Sequence, residues 1–189
     1  MKTINLTTIL VVIFTISVSI SNYAQQNHNH SKIKTIYAKR SMMEGDIMQQ
    51  SPNIQFNDSN LNKAYMHYIM INTALTKSNI QKVKMISERL IVILNNYGKA
   101  SESIAIASKL AESSDLKGQR KLFAELTISI APFFKESITK GKVYKNFCPM
   151  ANGNGAYWLS NSKNIVNPYM GEKSPMSSCG SIKDTYKSI

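Results

Sequence analysis

Two stretches near the C-terminal end carry the side chains with the most distinctive chemistry. Phe147-Cys148-Pro149-Met150 holds a thiol and a thioether two positions apart, and Met176-Ser177-Ser178-Cys179-Gly180 holds the same two groups three apart. Cys148 and Cys179 are the chain's two cysteines. Two thiolates and two thioethers make a soft donor set, and soft sulfur selects Cu(I), with Zn(II), Ag(I) and Hg(II) as competitors. Zn(II) would more typically recruit histidine or further cysteine, and the nearest histidine in sequence is His67. Cys148, Met150, Met176 and Cys179 are therefore candidate Cu(I) ligands, with Met170 as a fifth sulfur or a packing residue. The same cysteines have a second reading. In an exported chain, pairing as a disulfide is their ordinary use. It would close a loop of about 31 residues, stabilising by ~3–4 kcal/mol in the chain-entropy model. The residues leave the two readings side by side.

Catalytic patterns are missing around these thiols. There is no Cys-x-x-Cys pair, and no histidine or acid lies beside Cys148 in sequence to activate it. No serine-histidine-aspartate pattern, zinc-protease helix or phosphate loop is present. The chain is read as a non-enzyme with no catalytic residue.

The elements that would position the sulfurs are helical. Asn57-Asp58-Ser59 supplies cap-type residues, and Leu61, Ala64, Tyr65, Tyr68, Ile71 and Leu75 follow at helical spacing. After a turn at Lys77-Ser78-Asn79, Val83, Ile86, Leu90, Ile93, Leu94 and Tyr97 form a second apolar stripe, with Gly98 at its stop. A link this short predicts an antiparallel hairpin. Ser101 to Glu112 reads as a shorter, alanine-rich helix. A fourth runs from Leu116 past Phe134, with Leu116, Phe123 and Ile130 seven apart and Leu126 and Phe133 on the same face. Pro132 should kink or end it. The expected fold is mainly α: an up-and-down four-helix bundle over 58–189, with an irregular Cys/Met-containing C-terminal segment (142–182) packed on it. No alternation is strong enough to predict a sheet, although Val143 to Phe147 allows one short strand. Within the segment, Asn152-Gly153-Asn154-Gly155 and Asn167-Pro168 read as turns, and Tyr157-Trp158-Leu159 as apolar packing against the bundle.

The N-terminal end reads differently. Met1-Lys2, an apolar run from Ile9 to Ile20, and Tyr23-Ala24 before Gln25 fit a secretory signal peptide over 1–24. The run is short of the roughly 20 residues a membrane helix needs, so no stable membrane span is expected after cleavage, and a periplasmic or secreted location follows. Residues 25–57 read as a polar linker. His28 and His30 there are a possible Cu(II) or Zn(II) pair or part of a solvated tail, and Met42, Met43 and Met48 are thioethers in the same stretch. The formal net charge is +12. Its lysines are scattered and no recognition motif accompanies them, so nucleic acid is not the expected partner; a basic solvated surface is.

Cys148-Pro149-Met150-Ala151-Asn152-Gly153, Gly155-Ala156-Tyr157-Trp158-Leu159-Ser160, Ile165, Asn167-Pro168-Tyr169, Met176 and Cys179-Gly180 together resemble domain of unknown function 3347. This exported domain is also found at the C-terminus of periplasmic adaptor subunits of heavy-metal and copper efflux systems. The resemblance covers roughly 57–185. It implies a setting in metal efflux or homeostasis, an efflux-system or envelope protein as partner, and Cys148, Met150, Met176 and Cys179 as ligands. The function expected is an exported soft-metal module that captures, buffers or passes on Cu(I). The alternative is a disulfide-stabilised structural or interaction domain, without metal, that docks on an envelope protein.

Overall fold

Three of the four helix starts among the described residues are set by side-chain caps. The computed structural model describes residues 53–188; the signal peptide expected at 1–24, His28, His30, Met42, Met43, Met48 and most of the expected linker lie outside the described residues. α1 (Ser59–Thr76) begins where the Asp58 carboxylate accepts from the backbone N–H of Asn60 at 2.6 Å and of Leu61 at 3.3 Å. α2 (Ile80–Tyr97) starts at Asn79, whose side chain accepts from Lys82 N–H, and stops at Gly98 in the left-handed region. α3 (Ser101–Glu112) has no side-chain cap bond, and α4 (Leu116–Ser137) begins at Asp115 bonded to Gly118 N–H.

Each helix packs on the next in sequence, and α4 also packs on α1. Leu61, Tyr68, Ile71 and Leu75 of α1 meet Val83, Ile86, Leu90 and Leu94 of α2, Leu110 of α3, and Phe123, Leu126, Ile130 and Phe134 of α4 in a fully buried core. α4 does not end at Pro132 but runs through it to Ser137; Pro132 itself is exposed, so its ring faces away from the packed side. One expectation needs correction in α4. Phe134 rather than Phe133 enters the core; Phe133 is half-buried and meets Tyr97 edge-on at 5.6 Å.

The expectation of an irregular C-terminal segment is also corrected. α4 runs directly into β2 (Ile138–Lys140), which pairs antiparallel with β1 (Gln55–Phe56) at the end of the expected linker. Gly141, with φ +84°, then turns the chain where any β-carbon would collide with the Asn53 carbonyl oxygen. β3 (Lys142–Cys148), β4 (Ala156–Ser160) and β5 (Ser181–Lys187) form a second antiparallel sheet in the order β4-β3-β5. The short strand expected at Val143–Phe147 is thus the central strand of a sheet. The described residues are mainly helical, with four helices and a β layer laid along α1 and α4. Among the described residues no helix is long and apolar enough to cross a membrane.

Candidate functional site

β3 ends on Cys148, and Cys179 lies two residues before β5 begins; Phe147 and Ser181 are register partners. That pairing brings the two cysteines together, and they form a disulfide with Cα atoms 5.8 Å apart. The bond fastens the end of β3 to the start of β5 and closes the segment that contains β4. Cys148 is fully buried and Cys179 half-buried.

The return segment is held down by one buried amide. Asn167 is fully buried. Its Nδ2 donates to the Cys179 carbonyl at 2.8 Å and its Oδ1 accepts from Tyr169 N–H at 2.9 Å. Its own backbone N–H donates to Ser177 O at 2.8 Å. A single side chain thus holds both the turn after Pro168 and the backbone at Cys179. Gly180, with φ +136°, lies against the Trp158 ring; a β-carbon there would stand 2.6 Å from Cη2. Trp158 is fully buried, and Tyr169 meets its ring edge-on at 6.0 Å. Burial holds the Tyr169 hydroxyl well above the ordinary tyrosine range, and this hydroxyl donates to Tyr157 O.

β4 is an edge strand, and side chains take the place of the missing neighbour. The Tyr68 hydroxyl accepts from Leu159 N–H at 3.0 Å, and Asn72 Nδ2 donates to Leu159 O at 3.2 Å. Tyr68 in turn bonds Thr127 at 2.7 Å, and Thr127 donates to Phe123 O at 2.9 Å. A continuous chain of bonds therefore runs from β4 through α1 into α4. Desolvation raises the Tyr68 hydroxyl far above its ordinary pKa, so it acts as a neutral donor and acceptor. Arg120 adds a further tie: its Nε donates to Pro168 O at 3.0 Å and its Nη2 reaches Leu75 O at 3.5 Å, near the carbonyl end of α1.

The sulfur residues therefore divide. Cys148 and Cys179 meet, but as a disulfide, so neither is a thiolate in this form. Met150 is 59% exposed and Met176 36% exposed. Met176 contributes its carbonyl to Cys179 N–H at 2.9 Å, a backbone role the sequence did not suggest. Met170 is half-buried in the turn bonded to Asn167 O. No group of three or more histidine, cysteine, aspartate or glutamate side chains able to hold a metal occurs among the described residues. Sequence reasoning missed Tyr68, Asn72, Arg120 and Asn167 as the residues that organise this region. Tyr68 was visible as an apolar-stripe residue, and Asn167-Pro168 as a turn; nothing local marked their partners.

Searches of family models, curated proteins and solved structures found no match to this chain.

Proposed function

We propose that this chain is an exported, disulfide-stabilised interaction domain that docks on an envelope protein. The observation supporting the reading most strongly is the Cys148–Cys179 bond. Structural disulfides belong to oxidising compartments, and this one ties together a layer that otherwise rests on few residues. The signal peptide read at 1–24 and the basic net charge of +12 agree with an exported protein that meets acidic surfaces. The efflux setting implied by the resemblance to domain of unknown function 3347 is part of this proposal.

A Cu(I) role remains as a second reading, tied to the reduced form. The fold already brings both cysteine sulfurs to one point, and Met150 and Met176, which lie between them in sequence, are accessible. Reduction would turn the structural bond into a two-thiolate pair that soft metals prefer. One experiment separates the two. The mature protein is taken from the envelope under acid and thiol-trapping conditions, its free thiols are counted, and oxidised and reduced samples are titrated with Cu(I) under native mass spectrometry. The docking reading expects no free thiol and no stoichiometric Cu(I) on the oxidised chain. Two free thiols in the trapped sample, with one Cu(I) bound and lost in Cys148→Ser, would transfer the assignment to metal handling.

A further inference from the structure

A cleft of about 350 Å³ lies beside α1, between that helix and the loop that follows β4. The geometry points to a binding site for a neutral saccharide here. Ile69, Asn72, Thr73 and Thr76 line one wall, and their spacing puts them on one face of α1. Ser160, Asn161, Ser162, Asn164 and Val166 line the other.

The hydrogen-bonding character of the wall selects the ligand. Asn72 is 9% exposed, and its Nδ2 is committed to Leu159 O. The amide orientation is therefore fixed, and its Oδ1, for which the described residues show no donor, is an acceptor at the cleft. Thr73 and Thr76 each donate their one hydroxyl hydrogen to the carbonyl four residues back, Ile69 O and Asn72 O, both at 3.0 Å. What these hydroxyls offer a ligand is lone pairs. The α1 wall therefore presents acceptors, while Asn164 and Lys77 in the same lining carry donors, and a ligand whose groups both donate and accept, such as a hydroxyl, meets both. Lys77 stands in the lining as well as Glu172, so the formal charges of the lining cancel, and a cationic ligand would meet a like charge. Hydroxyls satisfy the wall without that penalty. Val166, 51% exposed, and Ile69 supply apolar surface for the C–H face of a sugar ring. The volume is near the lower end of small-molecule sites, suited to a short saccharide.

The test uses the full mature chain, with saturation-transfer NMR on N-acetylglucosamine and on maltose, and spermidine as the cationic counter-probe. Transfer to at least one sugar and none to spermidine is expected. Thr73→Trp, at an exposed position, fills the cleft and should abolish the signal. Val166→Asp should weaken binding by about tenfold or less, the effect of losing roughly one favourable contact. Near-UV circular dichroism matched to the parent chain confirms that each variant is folded. No transfer to either sugar, transfer unchanged in Thr73→Trp, or transfer to spermidine alone would overturn the assignment. Because the site lies apart from Cys148 and Cys179, the result is independent of whether the docking reading survives.

Discussion

The α1–α2 hairpin and the β3-β4-β5 layer are built on different principles. The hairpin buries Leu61, Ile71, Leu75, Val83, Ile86, Leu90 and Leu94 completely. Its stability comes from apolar area shared between neighbours in sequence, with caps at each start. The β layer buries Trp158, Leu159, Val143 and Tyr186, but it also relies on the Asn167 clamp, the Tyr68 and Asn72 bonds to Leu159, and the disulfide. Non-directional burial tolerates small shifts. Hydrogen bonds to fixed partners do not, because a buried group left unpaired is penalised. The helices are thus the stable platform, and the sheet is a layer whose registry is specified bond by bond.

The largest expected effects come from emptying an apolar anchor of each region. Trp158→Ala should destabilise by about 3–5 kcal/mol and Leu90→Ala by about 2–5 kcal/mol. The totals overlap; the location of the damage should not. In Trp158→Ala, amide exchange should accelerate in β4, β5 and the 161–180 segment while α1 and α2 stay protected. In Leu90→Ala it should accelerate in the helices. Equal loss of protection across both regions in Trp158→Ala would mean the chain is one cooperative unit, and the contrast would fail.

The same contrast explains what was legible in the sequence. The helices were, nearly to the residue, because a 3.6-residue period and the caps Asp58, Asn79 and Asp115 are local signals. The β layer was not. β3 buries Val143 on one side and Asn146 and Cys148 on the other, which erases strict alternation. β5 is polar in sequence, and its register shifts opposite Lys145 and Asn146. Asn167 reads as a turn residue because its side-chain bond to Cys179 O spans 12 positions. The pairing of Cys148 with Cys179 was weighed, but only the β3–β5 register places the two together. Met150 and Met176 were proposed from their residue type, their spacing to the cysteines and the resemblance, none of which carries information on exposure.

An intermediate effect sharpens the comparison at the seam. Tyr68→Phe keeps the ring stacked on Phe123, whose centroid is 4.9 Å away, and deletes only the hydroxyl. Leu159 N–H then loses its acceptor at the edge of β4. The expected loss is about 1–3 kcal/mol, the penalty for an unpaired buried donor. Exchange at the Leu159 amide should rise more than at any amide of α2. A loss as small as that from a half-buried tyrosine elsewhere in the layer, such as Tyr144→Phe, would show that apolar packing alone holds the strand.

The smallest effect belongs to the ion pair that crosses the two regions. Lys135 of α4 donates to Asp184 of β5 at 3.0 Å, with side chains 59% and 42% exposed. It is the one salt bridge among the described residues. The hydrogen bond from Lys135 holds the Asp184 carboxyl below its ordinary value. A depressed folded-state pKa contributes stability that is present above the unfolded value of about 3.9 and is lost as pH falls through the folded one. Lys135→Met, which keeps the stem beside Tyr186, should therefore lower stability at pH 7 and low salt by under about 1 kcal/mol, since exposed pairs are screened. The difference from the parent chain should shrink in high salt and disappear near pH 2. A deficit that persists unchanged at pH 2 would assign the Lys135 contribution to packing of its stem, and the bridge between helix and strand would then be held by the same apolar contacts as the hairpin.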